Sequence, residues 1–180
     1  KFVKSSWALY LNNGIIVNTD INKFFNIVNY DNIIYGLPTL ALSDYINNDL
    51  LDQLSIEHNY IGFNTGVVLY NLDHWRTQKL DLYIKTLINL HRKKQQFQFL
   101  TQPILNLIYY KKYTPIDSKW NFKDLGWNDR INIDSIRQSY ILHFNGQIKP
   151  NDKNNKYHNF WKRWNLVKKL NLKRINEKNL

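Results

Sequence analysis

A chain of 180 residues is long enough for one domain with a substantial core. Its content of 43% hydrophobic and 15% aromatic residues argues for a packed globule and against disorder, and the absence of cysteine excludes disulfides and zinc–thiolate sites. The net charge of +11 invites a polyanion partner, but much of the excess lies in the last stretch (Lys162, Arg163, Lys168, Lys169, Lys173, Arg174, Lys178). A solvated basic face, or a contact for an anionic membrane, is therefore expected there ahead of a nucleic-acid site.

In chain order, Trp7 to Leu11 is expected as a buried strand. Asn12-Asn13-Gly14 breaks it with a turn, and Ile15-Ile16-Val17 resumes extended structure. A short helix after Asp20 would carry Ile21, Phe24 and Phe25 on one face. Asn32 to Leu42 is β-prone and broken at Gly36 and Pro38, and Ser43 is a good N-cap for a helix through Leu54. The unbroken apolar run after Gly66 predicts a central strand, buried on both faces. Lys79 to about Gln96 has the clearest helical period, with Leu80, Tyr83, Ile84, Leu87 and Ile88 inward and Asp81 paired with Lys85. Thr101 opens a further helix, with Pro103 tolerated in its first turn. An amphipathic helix from about Lys156 to Leu170, presenting Phe160, Trp161, Trp164 and Val167, closes the chain. No repeat or linker interrupts the sequence, so one mixed α/β unit over 1–180 is expected, with the basic helix from about 156 as its tail. No apolar run approaches a membrane span, and Lys1-Phe2-Val3-Lys4 makes no convincing signal peptide.

Two stretches could carry chemistry. In Tyr140 to Pro150 a short apolar run delivers His143, Gly146 follows in a turn, and Lys149 precedes the terminating Pro150. An imidazole, an approachable backbone and an ammonium suit a metal-bound diphosphate. The same residues also describe an ordinary strand end. Asn64-Thr65-Gly66 sits on the lip of the central strand, where an amide could read sugar hydroxyls or simply complete a turn. Trp120 and Trp127 could stack on a sugar or fill the core.

Taken together and in order, these pieces resemble the family 8 glycosyltransferases. Tyr10-Leu11, three residues, then Ile15-Ile16-Val17 and Asp20-Ile21 is similar to that family's metal-motif segment. The run Phe63-Asn64-Thr65-Gly66-Val67-Val68-Leu69-Tyr70-Asn71-Leu72, continuing to Trp75-Arg76, resembles its Phe-Asn-x-Gly-Val…Asn-Leu…Trp-Arg block. Ile116 to Asn121 and Leu142 to Pro150 are similar to its closing blocks. Thr101-Gln102-Pro103 stands where most members have Asp-Gln-Asp, a trait of the animal glycosyltransferase 8 domain-containing proteins.

The resemblance implies a GT-A-like mixed sheet flanked by helices, a nucleotide-sugar donor (UDP-sugar), a glycan or protein acceptor, Mn²⁺, and transfer with retention. On it, His143 is a metal ligand, Asn145, Gly146 and Lys149 hold the diphosphate, and Asn64 and Gln102 work at the sugar. No nucleic-acid partner is expected, and residence in the Golgi lumen is implied. The family's Asp-x-Asp falls on Asn12, Asn13 and Gly14, so two carboxylates are replaced by an amide and by no side chain. Impaired activity is the expectation, with an inactive binding or scaffold protein as the alternative. The family's first βαβ units, which form most of its base pocket, have no counterpart before Trp7.

Overall fold

The structure is a computed structural model and describes residues 3–29, 31–99 and 101–164. Its main sheet runs β1 (Trp7–Leu11), β4 (Ile61–Asn71), β3 (Ile34–Ala41), β5 (Tyr113–Pro115) in spatial order. The first two contacts are antiparallel and the last is parallel. A smaller antiparallel pair joins β2 (Ile15–Val17) to β6 (Ile141–His143), placing Ile15 opposite His143.

The apolar run after Gly66 is central, as expected. Val67, Val68 and Leu69 are fully buried between β1 and β3. Successive strand residues face opposite sides, so β4 contributes to two cores. Val67 and Leu69 pack with Phe24, Tyr35, Trp120 and Ile141. Val68 joins Ile34, Phe63, Leu105 and Tyr109 beneath helices α4 (Leu80–Lys94) and α5 (Thr101–Ile108). Cutting one such residue back, as in Leu69→Ala, should cost about 2–5 kcal/mol.

Several boundaries differ from the sequence reading. β1 is half-buried and forms an edge among the described residues, because it pairs with β4 alone. β3 is not broken at Gly36 and Pro38; the strand runs through both and absorbs them as shifts of register. No helix starts at Ser43. Leu42–Asp44 form a 3-10 turn, after which Ile46 bridges Phe97 and Gln98 N–H donates to Tyr45 O (3.0 Å). Tyr45, at φ −147° and ψ 1°, leaves helical geometry there, and the helix α2 (Asn48–Gln53) begins one turn later, with Asn47 Oδ1 accepting from Asp49 N–H at 2.8 Å.

The helix α1 (Asn22–Phe25) buries Phe24 but leaves Phe25 exposed. Helix α4 sits where its period predicted, yet only Leu80 is buried and Tyr83 is 61% exposed. Asp81 and Lys85 form no ion pair among the described residues. Helix α3 (Leu72–Thr77) follows β4 directly, capped by Asn71 Oδ1 on His74 N–H at 2.9 Å. A further helix, α6 (Ile133–Gln138), precedes β6. The last described helix is α7 (His158–Trp164); the remainder of the predicted closing helix, with Val167, lies outside the described residues. Trp120 is core, edge-on to Phe24 at 4.7 Å, whereas Trp127 is 60% exposed.

Candidate active site

The site is organised by an irregularity in β4. Gly36 faces Val68 and the next residue, Leu37, faces Asn64, so Thr65, Gly66 and Val67 have no partner on β3. Such bulges re-aim side chains, and they gather near active sites. Asn64, paired with Leu37, stands at the lip of this one. Its Oδ1 accepts from Gly66 N–H (2.9 Å), and its Nδ2 donates to Gln102 Oε1 (3.3 Å). Gln102 Oε1 also accepts from Thr65 N–H at 3.4 Å.

Gln102 reaches the bulge because α5 is pinned to β4 one turn further on. The buried Asn106 amide accepts from Phe63 N–H (2.7 Å) and donates to Phe63 O (2.9 Å). Fully burying an amide is tolerable only with such partners. Close packing here also demands Gly62, since a Cβ there would stand 2.2 Å from the Tyr45 hydroxyl and 2.6 Å from Asn106 Oδ1.

On the other flank of Asn64 lies Asn121, fully buried at the end of a 3-10 turn (Ser118–Asn121). Its Nδ2 donates to Asn64 Oδ1 (2.9 Å), and its Oδ1 lies 3.0 Å from His143 Nδ1. His143 ends β6, 2% exposed, with its ring against the backbone of Gly66. A Cβ on Gly66 would stand 1.9 Å from His143 Cε1, so glycine is required for the ring to fit. His143 Nε2 is buried and has no hydrogen-bond partner. Burial pushes the imidazole pKa down to about 4, against a smaller upward pull from Asp124 and with a further small push down from Lys123. The ring is neutral at pH 7.

The structure thus brings His143, Asn64 and Gln102 into one hydrogen-bonded row, through Asn121. It also delivers the Asn12–Gly14 turn to the same place. Asn12 N–H donates to Gly66 O (2.8 Å), and Gly14 O accepts from Phe144 N–H (2.9 Å). Gly14 adopts a φ of +75°, where glycine is favoured. Asn145 is engaged within its own loop: Oδ1 accepts from Asp124 N–H and Nδ2 donates to Asp124 Oδ1 (3.1 Å). Gly146, at φ +125°, lies backbone to backbone on Gly126, and Lys149 Nζ caps Gly146 O at 2.9 Å from an exposed position. Lys149 could swing to an anion, whereas both ends of the Asn145 side chain are already occupied.

Mn²⁺, the cation the resemblance implies, is a poor match for these residues. His143 Nε2 offers one unpartnered nitrogen. Asn12 Oδ1 already accepts from Asn13 N–H (2.8 Å), and Gly14 has no side chain. Asp124, whose charge His143 senses, is taken by Lys123 (2.6 Å) and Asn145. Among the described residues no group of three or more His, Cys, Asp or Glu could hold a metal ion. A hard divalent cation seeks several charged oxygens, and one neutral imidazole does not supply them.

The mixed sheet flanked by helices matches the frame of GT-A glycosyltransferase structures. The family model described as "Glycosyl transferase family 8" matches residues 2–155, and the chain belongs to that family. It is similar to the glycosyltransferase 8 domain-containing protein 1 of Danio rerio, at 25% identity over 87% of this chain and 50% of that protein. It also resembles the probable galacturonosyltransferase 4 of Arabidopsis thaliana, at 24% identity over 83% of this chain and 25% of that protein. The fold of the galactosyltransferase LgtC, solved with donor and acceptor sugar analogs, superposes with a TM-score of 0.70 at 17% identity, covering 94% of this chain and 63% of that one. The glycosyltransferase GlyE of Streptococcus pneumoniae gives 0.66 at 19% identity, over 89% of this chain and 40% of that one. The chain therefore spans half or less of the length of these two curated relatives. No helix among the described residues is long and apolar enough to cross a membrane.

Sequence reasoning missed two residues that hold the site together. Asn121 appeared only as part of a matched block, and Asn106 not at all. An amide in an apolar helical stretch such as Ile104-Leu105-Asn106-Leu107-Ile108 was the available signal. A buried polar side chain there must be satisfying backbone elsewhere.

Proposed function

We propose that this chain is one partial family 8 domain that handles the sugar of a nucleotide-sugar donor, most simply a UDP-sugar, for transfer with retention to a glycan or protein acceptor. Asn64 and Gln102 contact the sugar, and Lys149 with the Gly146 backbone meets the diphosphate. The observation that carries this reading is the row of neutral amides ending in an unpartnered imidazole nitrogen on the β4 bulge. Amides both donate and accept, which suits hydroxyl-rich ligands. An ammonium close to a flexible loop suits a phosphate oxygen.

A second reading has the same cleft binding sugar without turning it over, as a scaffold or lectin-like protein. The carboxylate-free turn at Asn12–Gly14 favours it, because charge building on a leaving diphosphate would then lack a cation. Residence in the Golgi lumen accords with either reading and is proposed on family grounds.

The test is a panel of UDP-sugars offered to the chain with MnCl₂ and, separately, with EDTA, reading both UDP release and ligand-induced thermal shift. A thermal shift in EDTA with little or no UDP release is the expected result. Rapid release in both conditions would remove the scaffold reading. Rapid release that requires Mn²⁺ would overturn the statement that the donor set does not suit the cation. No thermal shift with any sugar nucleotide would overturn the sugar-handling reading itself.

A further inference from the structure

The row from His143 to Gln102 has a direction, and backbone groups set it. Gly66 N–H can only donate, and it donates to Asn64 Oδ1 at 2.9 Å. Asn64 Nδ2 is then the donor to Gln102, whose accepting oxygen is pinned independently by Thr65 N–H at 3.4 Å. The second donor to Asn64 Oδ1 is Asn121 Nδ2 at 2.9 Å, so Asn121 must turn its oxygen to His143 Nδ1, 3.0 Å away. An amide oxygen only accepts, which requires the proton of the neutral ring on Nδ1. A neutral histidine left to water favours the opposite tautomer. Here Nε2 carries the lone pair, buried and without a partner.

We propose that Asn121 is a positioning residue that locks His143 as the Nδ1–H tautomer, so that Nε2 stands as an acceptor for a ligand hydroxyl. The row then presents opposite polarity at its two ends. His143 Nε2 accepts, and Gln102 Nε2, which has no protein partner among the described residues, donates. A polyol satisfies both, since each hydroxyl donates and accepts. The tautomer rests on geometry alone, while the hydroxyl contact rests on the sugar-handling reading above. Leaving Nε2 unpaired carries a desolvation cost that a ligand hydroxyl would recover.

The experiment is ¹⁵N-histidine labelling of the whole chain with long-range ¹H–¹⁵N correlation at pH 7, without ligand. Expected in the wild type are a protonated Nδ1 and an unprotonated Nε2 for His143. Asn121→Ala should lose that preference, and Asn121→Asp, which keeps an acceptor for Nδ1–H, should retain it. A wild-type ring protonated on Nε2, or an Asn121→Ala ring unchanged from wild type, overturns the lock. Should Asn121→Ala not fold, Asn64→Ala decides instead, since it removes the acceptor that orients Asn121 and should likewise relax the tautomer. UDP-glucose and UDP-galactose, each added without metal, should then move the Nε2 resonance without protonating it. A nucleotide sugar that shifts other resonances but leaves Nε2 still overturns the hydroxyl contact while the lock stands. One that shifts nothing counts against the sugar-handling reading instead.

Discussion

The amide row and the Asn12–Gly14 turn meet at Gly66, yet they are held in different ways. In the row, side chains hold one another, with His143 and Asn121 buried and Asn64 and Gln102 half-buried. His143, Asn121, Asn64 and Gln102 each use the neighbour's polar atom, and two backbone N–H groups set the sense of the whole. In the turn, Asn12 and Asn13 are exposed and the tie to the rest of the fold is backbone, through Asn12 N–H on Gly66 O and Phe144 N–H on Gly14 O, while the Asn12 Oδ1 bond from Asn13 N–H stays within the turn. The turn keeps its place in the fold although its side chains carry no carboxylate. Backbone pairing fixes where this turn lies whatever side chains it carries, so position in the fold is no proof of function.

The sharpest way to break this contrast is acid. The His143 pKa lies near 4 in the folded chain and near the ordinary 6.5 when unfolded. Between those values the unfolded chain binds more protons, so stability is complete above about pH 6.5 and declines as the pH falls towards 4. The full loss amounts to about 3 kcal/mol. Urea unfolding of the wild type and of His143→Gln across that range should show the extra decline in the wild type only. Parallel curves would mean that the ring is not held neutral. No titrating side chain belongs to the turn, so the loss attaches to the row alone.

Next in size is a pair of glycine substitutions, one in each region. Gly66→Ala drives a methyl into the His143 ring, 1.9 Å from Cε1, and overpacking of this kind costs up to about 3 kcal/mol. Combining it with His143→Ala should recover much of that loss, because the clash then has no second party. Gly14→Ala meets Phe144 O only at 3.3 Å, and its penalty of about 1 kcal/mol comes from the φ of +75°. Equal losses at the two glycines would remove the distinction between a packed row and a backbone-held turn.

Where local pattern decided structure, the sequence was legible. The apolar run Val67-Val68-Leu69 announced the central strand, and the period from Leu80 announced α4. Long-range pairing was not legible. Nothing local says that Ile46 will bridge Phe97, or that the helix expected from Ser43 will wait until Asn47. The ordered motifs brought His143, Asn64 and Gln102 to attention, but the link between them, Asn121, comes from a segment 57 residues from Asn64 and 22 from His143. Hydrogen bonds over such separations leave no periodic trace. The bulge at Thr65 to Val67 was hidden for a related reason: a register shift depends on the partner strand, and Leu37 lies far off in sequence.

The smallest effect on stability, and the most direct probe of the turn, is Asn12→Asp. An aspartate can accept from Asn13 N–H as Asn12 Oδ1 does at 2.8 Å, in an exposed position, so stability should change by no more than about 0.5 kcal/mol. The substitution adds one carboxylate at the residue whose N–H donates to Gly66 O, the glycine that lies against the His143 ring. One carboxylate and one imidazole still fall short of the oxygen-rich shell that a hard divalent cation prefers. Calorimetry with MnCl₂ and UDP should therefore give no micromolar affinity for the wild type or for Asn12→Asp. A micromolar Kd for the wild type would mean that backbone carbonyls and the diphosphate complete the shell without protein carboxylates. The same affinity appearing only in Asn12→Asp would place the deficit in that single side chain, with Gly14 contributing position and no ligand.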